Sequence, residues 1–219
     1  MDTTVRRFTT TLEVGVDLSY LLHRPRDHET REDWPLVLFL HGSGERGDDL
    51  SLVEREGLPR RLADGLELPA VVLSPQCPAD QVWAQHFPAL MALLERTVAE
   101  ERVDPDRVVV TGLSLGGASV CHLATMHPER FAALAPICGP WSWYYVTPAM
   151  AQLPMWAFHG DADPVVSVDD SRRLVARVRE LGGDARLSEY AGVGHGAWRP
   201  AYDDEAVLTW LVSQRRRGA

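Results

Sequence analysis

The chain has 219 residues, of which 45% are hydrophobic and 24% are charged, and one compact core can grow to roughly 250 residues before it divides. A formal net charge of −9 argues against nucleic-acid binding, because binding to a phosphate backbone requires clustered Lys and Arg. The apolar runs, such as residues 35–40, are far shorter than the about 20 residues that span a bilayer. We therefore expect one domain over residues 1–219, without nucleic-acid binding or membrane insertion.

The N-terminal segment and the cysteines indicate the compartment. Residues 1–15 lack the apolar stretch of a secretory signal, so we expect a cytoplasmic protein. Cys77, Cys121 and Cys138 form no CxxC pair and have no zinc-ligand spacing, which predicts reduced thiols and no metal or other cofactor. Cys121 is expected to be buried as a small hydrophobic residue. The arginines at 215–217 are expected to form a solvated helix end.

Two alternating runs at residues 8–14 and 16–22 flank Gly15 and predict an antiparallel hairpin at one edge of a sheet. From about residue 35, short apolar runs alternate with helical patterns, which is typical of the α/β class with a mostly parallel sheet. Further strands are predicted at Pro35–Leu40, Ala70–Ser74, Arg107–Thr111, Phe131–Ile137, Met155–His159 and Ala185–Glu189. Helices are predicted at His86–Glu101, Leu115–His127, Val168–Leu181 and Asp203–Arg216.

The segment Gly112-Leu113-Ser114-Leu115-Gly116 matches G-x-S-x-G and stands between a predicted strand and a predicted helix. In this context a tight, strained turn exposes the serine at the end of the strand, and the residues two positions to either side must be small. Here both of these residues are glycine. The motif therefore predicts that Ser114 is a nucleophile.

A serine nucleophile needs a general base and an acid that orients the base. His195 follows the later strands and lies among glycines in Gly194-His195-Gly196, so it is the predicted base. The acid should come earlier, and Asp161 and Asp163 both follow the strand that ends at His159. We favour Asp163, and we expect Asp161 to cap the turn through its side chain.

Negative charge on a carbonyl oxygen would require an oxyanion hole of backbone N–H groups. One donor is expected from Leu115 and the other from the glycine-rich loop at residues 41–49, where Ser43 is favoured and its neighbour Gly44 is expected beside the substrate. His41 is expected to shape this loop and not to serve as the base. Glu45 and Arg46 could bind substrate, but a local ion pair between them is the favoured interpretation.

The chain resembles the small, lid-less esterases of the α/β-hydrolase superfamily in the segments LHGSGERGDD, SPQCP, TGLSLGGAS, FHGDADPVV and GVGHGAW. This branch includes phospholipase/carboxylesterases, dienelactone hydrolases, polyhydroxybutyrate-depolymerase-like esterases and predicted peptidases. The resemblance implies an α/β-hydrolase fold with a central sheet of about eight strands and helices on both faces. It also implies a triad of Ser114, Asp163 and His195, with Ser43 and Leu115 in the oxyanion hole. Dienelactone hydrolases use a cysteine nucleophile, so the serine argues against that particular activity.

Three alternatives differ in their chemistry. The loop from Gly42 to Gly47 matches G-x-G-x-x-G, but a dinucleotide site needs a helix that starts in the loop, and residues 48–62 are polar with little helical periodicity. A non-catalytic binding protein of this fold would usually lack a triad member. A thioesterase or small-peptide hydrolase would use the same triad. We favour a serine carboxylesterase acting on a small-molecule ester.

About seventeen residues, 138–154, connect two predicted strands where lipases of this superfamily often carry a lid, and this is too short for a lid domain. The connection contains Trp141, Trp143, Tyr144 and Tyr145, which cannot all face one core in helical or strand periodicity. Trp143 and Tyr145 are predicted to form one wall of the substrate pocket. The alternative is an apolar surface patch or a homodimer contact. The pocket interpretation predicts a preference for short-chain or aromatic esters.

Overall fold

The computed structural model describes residues 4–10 and 15–216. Its strands, in chain order, are β1 Tyr20–His23, β2 Trp34–Leu40, β3 Val71–Pro75, β4 Val103–Leu113, β5 Ala133–Ile137, β6 Met155–Gly160 and β7 Ala185–Tyr190. Its α-helices are α1 Gly57–Ala63, α2 Phe87–Glu100, α3 Leu115–Met126, α4 Pro148–Ala151, α5 Val168–Glu180, α6 Trp198–Asp203 and α7 Glu205–Ser213.

The strands form one seven-stranded sheet in the order β1-β3-β2-β4-β5-β6-β7. Strand β1 pairs antiparallel with β3, and the remaining neighbours pair parallel. Every residue of β2, β3, β5 and β6 is buried, as a sheet covered on both faces requires. The parallel strands therefore bring their carboxyl ends to one edge, where the predicted site residues follow β2, β4, β5, β6 and β7.

Alternation along the strands divides the core into two layers. In β2, Leu36 and Leu38 point into a layer with α2, α3 and α5, whereas Val37 and Phe39 point into a layer with α1, α6 and α7. Cys121 is fully buried in the first layer, as predicted. The two layers hold the carboxyl edge rigidly, because each strand is packed from both sides.

The predicted edge hairpin is wrong in its second strand. The strand found there is Tyr20–His23, which is shorter than residues 16–22 and pairs with β3, 49 to 55 positions further along the chain. Of the first run, residues 8–10 have no regular structure, and residues 11–14 lie outside the described residues. The described sheet thus has seven strands instead of the about eight expected.

Two helix predictions also need correction. The predicted helix at 203–216 is divided at Asp204, whose extended backbone separates α6 from α7 and whose carboxylate accepts the Ala206 N–H at 2.8 Å. Arg215 and Arg216 follow the end of α7, and they bind Asp104 and Asp106 instead of ending a helix. Residues 48–62 contain a 3-10 helix, Leu50–Arg55, and α1, which their polar pattern did not predict.

The connection from β5 to β6 is short, as predicted. Within residues 138–154 the chain forms a 3-10 turn, Trp143–Tyr145, and the four-residue helix α4. No lid domain is inserted at this position of the described chain. In residues 4–10 and 15–216, no helix combines the length and the apolar character needed to cross a membrane.

Candidate active site

Ser114 lies in a sharp turn between β4 and α3. Its backbone has φ 51° and ψ −115°, a strained conformation for a residue with a side chain. A Cβ on Gly112 would lie 2.6 Å from the Leu40 carbonyl oxygen, and a Cβ on Gly116 would clash with the same carbonyl group. The two glycines therefore allow the turn to pack directly against the end of β2, and Ser114 projects at the carboxyl edge.

The structure brings Ser114, His195 and Asp163 together, although they come from three separate loops. The Ser114 hydroxyl lies 2.9 Å from Nε2 of His195, and Nδ1 of His195 lies 2.7 Å from Oδ2 of Asp163. Because a carboxylate only accepts, Nδ1 carries the proton, and Nε2 is then free to accept from the serine. This arrangement can remove a proton from Ser114 as it attacks a carbonyl carbon.

The carboxylate of Asp163 is buried and fully engaged. Its Oδ1 accepts the N–H groups of Val165 at 2.8 Å and Val166 at 3.0 Å. Burial would raise the pKa of Asp163, but the hydrogen bonds from His195 and from these two amides outweigh it, and the pKa lies below its ordinary value. Asp163 therefore carries its negative charge at neutral pH and can orient the His195 imidazole.

His159 supports this carboxylate and was not predicted as a site residue. It is fully buried near the end of β6, and its Nε2 lies 3.2 Å from Oδ2 of Asp163 and 3.1 Å from the Val166 carbonyl oxygen. Because the Val166 carbonyl oxygen only accepts, Nε2 donates to it, and Nδ1 can then accept from the Ser171 hydroxyl at 2.7 Å. The signal in the sequence was a histidine in an otherwise apolar strand just before the predicted acid.

Asp161 does not cap its own turn, contrary to the prediction. Its Oδ1 accepts the backbone N–H of Gly192 at 2.7 Å, across 31 residues of sequence. Gly192 belongs to the loop that carries His195. The end of β6 approaches this loop so closely that a Cβ on Gly160 would clash with the Val193 carbonyl. Asp161 thus joins the acid loop to the histidine loop without contacting the triad.

The loop after β2 lies against the nucleophile turn. Gly42 packs on Leu113, and Ser43 begins a 3-10 turn, Ser43–Glu45, just as Leu115 begins α3. The first amides of a helical turn have no carbonyl partner within that turn, so both are available as donors. Ser43 and Gly44 are exposed, and a Cβ on Gly44 would meet no atom within 4 Å. A substrate can therefore approach this backbone.

His41 holds the loop after β2 in place through hydrogen bonds to backbone groups, as expected. It is fully buried; its Nδ1 donates to the Gly42 carbonyl at 2.6 Å, and its Nε2 accepts the Cys77 N–H at 2.9 Å. Burial lowers the pKa of His41 to about 4, so the ring is neutral and cannot exchange roles with His195. Trp83 completes the support, because its indole N–H donates to the His41 carbonyl at 3.0 Å.

The expected ion pair between Glu45 and Arg46 is wrong. Glu45 is buried under the loop, and burial raises the pKa of its carboxyl group. Arg46 points elsewhere and donates to the carbonyl groups of Ser43 at 2.9 Å and Gln81 at 3.0 Å. The loop is thus stiffened by bonds to backbone oxygens, because adjacent side chains leave this 3-10 turn in different directions.

Cys138, directly after β5, lies beneath the triad and was expected only as a reduced thiol. Its backbone has φ 39°, and its thiol donates to the His195 carbonyl at 3.3 Å. Its sulfur and the ligand atoms of Asp163 and His195 lie within 4.8 Å of one another. Burial strongly raises the pKa of Cys138 to about 12, so the thiol is protonated and acts here as a hydrogen-bond donor.

The aromatic segment after Cys138 is partly exposed. Trp143, Tyr144 and Tyr145 are 40%, 76% and 61% exposed, whereas Trp141 packs against the core and lies 5.5 Å from the His122 ring of α3. The ring of Tyr145 lies 5.9 Å from that of Trp141, so the exposed rings contact a ring that packs on α3. This arrangement places flat apolar surface at the carboxyl edge of β5.

Comparison with known proteins agrees with this architecture. The model of the dienelactone hydrolase family matches residues 79–208, which is more than half of the chain. A solved structure described as that of a thermostable esterase superposes with a TM-score of 0.82 at 34% identity, covering 92% of this chain and 60% of that one. The predicted α/β-hydrolase fold is therefore confirmed.

Two curated relatives are similar in sequence. NocK of Nocardia uniformis subsp. tsuyamanensis, which is named as an esterase, is 30% identical over 74% of this chain and 50% of its own length. Acyl-protein thioesterase 1 of Gibberella zeae is 30% identical over 48% of each chain. The chain thus spans about half the length of the curated relatives it matches. On the family match, the chain belongs to the dienelactone hydrolase family.

Proposed function

We propose that this protein is a serine carboxylesterase that hydrolyses a small-molecule ester through an acyl-enzyme intermediate. The observation that carries the proposal is the continuous hydrogen-bonded path from Ser114 through His195 to Asp163, with the serine held in a strained turn. This geometry meets the requirements for an activated serine nucleophile. The names of the similar esterases support the same conclusion.

In the acylation step, Ser114 Oγ attacks the ester carbonyl carbon while His195 Nε2 takes the hydroxyl proton. The negative charge on the carbonyl oxygen would be stabilised by the N–H groups of Ser43 and Leu115. His195 then gives the proton to the departing alcohol, and the acyl group remains on Ser114. In the second step a water oxygen attacks the acyl carbon while His195 takes its proton. The bond from the acyl carbon to Ser114 Oγ then breaks, His195 returns the proton to Oγ, and the carboxylic acid leaves.

The substrate preference that we propose is for short acyl chains or aromatic esters. Trp143 and Tyr145 offer exposed ring surface at the carboxyl edge, and Gly44 leaves open space beside the loop after β2. The short β5–β6 connection carries no lid domain, so we expect no activation by lid opening at a lipid surface. Aromatic side chains near polar groups give contact area at low entropic cost.

The first test combines a covalent probe with a substrate panel. A fluorophosphonate should add one phosphonyl group to Ser114, which peptide mass spectrometry can locate. p-Nitrophenyl esters of increasing acyl length and a feruloyl ester should then show the highest kcat/KM for short or aromatic acyl groups. Labelling elsewhere would contradict the nucleophile, and highest activity on long-chain esters would contradict the proposed preference.

A thioesterase is the second candidate, because one of the similar proteins is named as an acyl-protein thioesterase. The same acyl-enzyme chemistry cleaves esters and thioesters, so the two activities differ only in the leaving group, which is an alcohol or a thiol. An ester, a thioester and an anilide that share one acyl group should be compared at equal concentration. A kcat/KM for the thioester at least tenfold above that for the ester would favour the thioesterase.

A further inference from the structure

Glu56 links the start of α1 to the segment that follows His195. Its Oε2 accepts the indole N–H of Trp198 at 2.8 Å, and its two oxygens accept from Arg199 at 2.6 Å and 3.3 Å. The bond spans 142 residues of sequence. A single carboxylate therefore holds the first two residues of α6, three and four positions after the histidine.

Trp198 also contacts the imidazole of His195. The two ring centroids are 5.4 Å apart, and the rings are nearly perpendicular at 88°. The His195 ring is thus bounded by the Asp163 carboxylate, the Ser114 hydroxyl and the Trp198 indole. Because glycines flank His195 on both sides, its backbone restricts the ring little, and these side-chain contacts must set its orientation.

The position of Glu56 is fixed independently of Trp198. Gly57 has φ 70°, and a Cβ there would lie 2.6 Å from the ring of Phe39 and 2.9 Å from the side chain of Leu113. Phe39 belongs to β2 and Leu113 precedes the nucleophile. The turn that carries Glu56 is therefore seated on the same two strand ends that hold the loop after β2 and Ser114.

The charge on Glu56 is maintained by the same contacts. Burial opposes ionisation, but the hydrogen bonds from Arg199 and Trp198 outweigh it and lower the pKa of Glu56. The Arg199 side chain is 63% exposed, so this ion pair adds little to overall stability. The ion pair with Arg199 therefore explains little of the role of Glu56. The hydrogen bond to Trp198 is the contact that connects Glu56 with the His195 ring.

We propose that Glu56 is a positioning residue for His195, acting through the Trp198 indole to hold the imidazole in line with Ser114 and Asp163; this rests on the proposed function. Removal of the carboxylate frees the indole to turn, and the imidazole loses one boundary. A misplacement of about 1 Å in a catalytic group can lower the rate about 100-fold. Loss of the Glu56 carboxylate should lower kcat and leave KM nearly unchanged, because Glu56 contacts no group assigned to substrate binding.

The experiment compares Glu56→Ala, Glu56→Gln and Trp198→Phe with the unmodified protein on a soluble short-chain p-nitrophenyl ester. Asp64→Ala is the matched control: Asp64 follows the end of α1 and lines, together with Glu56 and Trp198, a cavity of about 340 Å³. Its exposed carboxylate pairs with Arg60, and no hydrogen bond joins it to Trp198 among the described residues. We expect Glu56→Ala and Trp198→Phe to lower kcat roughly 10- to 100-fold with KM within about twofold. Glu56→Gln should keep at least a third of kcat, because its amide oxygen can still accept from the indole.

Two further readouts separate positioning from folding. Thermal unfolding should differ by only a few degrees among the variants, and the rate of fluorophosphonate labelling should fall in parallel with kcat. The proposal is overturned if Glu56→Ala keeps kcat within twofold, if Asp64→Ala loses as much, or if Glu56→Gln is as impaired as Glu56→Ala. If Glu56→Ala does not fold, Trp198→Phe with unchanged kcat overturns it. A failure of the proposed function would differ, because the unmodified protein would then not label at Ser114.

Discussion

The nucleophile turn and the β5–β6 connection both follow strands at the carboxyl edge, yet they are constrained very differently. Around Ser114 the chain is packed so closely that neither Gly112 nor Gly116 has space for a methyl group. In the connection, Tyr144 and Tyr145 are more than half exposed. The proposed nucleophile is thus held where packing allows one conformation, whereas the surface proposed to select the substrate lies where packing leaves conformational freedom.

Ser114→Ala should produce the largest effect on activity. Without the hydroxyl no acyl-enzyme can form, and we expect kcat to fall roughly 10⁵-fold or more, since a triad acts as a unit. Because Ser114 is only partly buried, the fold should persist, and circular dichroism should be unchanged. More than about a tenth of the original activity on a p-nitrophenyl ester would contradict the nucleophile.

The two acid-loop residues provide the next comparison. Asp163→Asn removes the charge that orients His195, and we expect a loss of roughly 10³- to 10⁴-fold in kcat. Asp161→Asn is the control, because an amide oxygen can still accept the Gly192 N–H, and its loss should stay below about tenfold. Equal losses in the two variants would show that the acid is not Asp163.

Glycine substitutions test the difference in packing directly. Gly116→Ala places a methyl group against the Leu40 carbonyl, and we expect the free energy of unfolding to fall by about 3 kcal/mol or more. Gly44→Ala meets no atom within 4 Å and should change it by less than about 1 kcal/mol. Denaturant unfolding measures both, and similar values would mean that the turn is not tightly constrained.

Substitutions in the β5–β6 connection should act on binding alone. We expect Trp143→Ala and Tyr145→Ala to raise KM for an aromatic ester by roughly three- to tenfold, with kcat and stability nearly unchanged. Tyr144→Ala, at the most exposed of the three positions, serves as the comparison. An unchanged KM in the first two variants would remove the pocket wall and favour the surface-patch or homodimer interpretation, which analytical ultracentrifugation can test.

The smallest expected effect is on the pH dependence of folding stability that Asp163 contributes. Its pKa is lower in the folded state than the usual value of about 3.9, so the unfolded chain binds more protons, and folding gains stability as pH rises through this range. This contribution is complete above about pH 5 and is lost as pH falls through the folded pKa. The difference in melting temperature between the unmodified protein and Asp163→Asn should therefore shrink between pH 5 and pH 3. A constant difference would contradict the lowered pKa.

The sequence by itself determined the alternation of strands and helices and the residues that follow each strand. Apolar runs and glycine spacing are local signals, so β2, β6, α3 and the turn at Ser114 were predicted almost to their bounds. The same local signals identified Ser114, Asp163 and His195 as candidates, because each stands directly after a strand or among glycines.

Only the tertiary structure decided which distant groups meet. The pairing of β1 with β3, the contact of Asp161 with Gly192, and the contact of Glu56 with Trp198 join residues 31 to 142 positions apart. Nothing in the neighbouring sequence distinguishes Glu56 from other acidic residues on a polar segment. Its partner is determined by the fold, because α1 and α6 pack on the same face of the sheet and bring the partly buried indole N–H of Trp198 to this carboxylate.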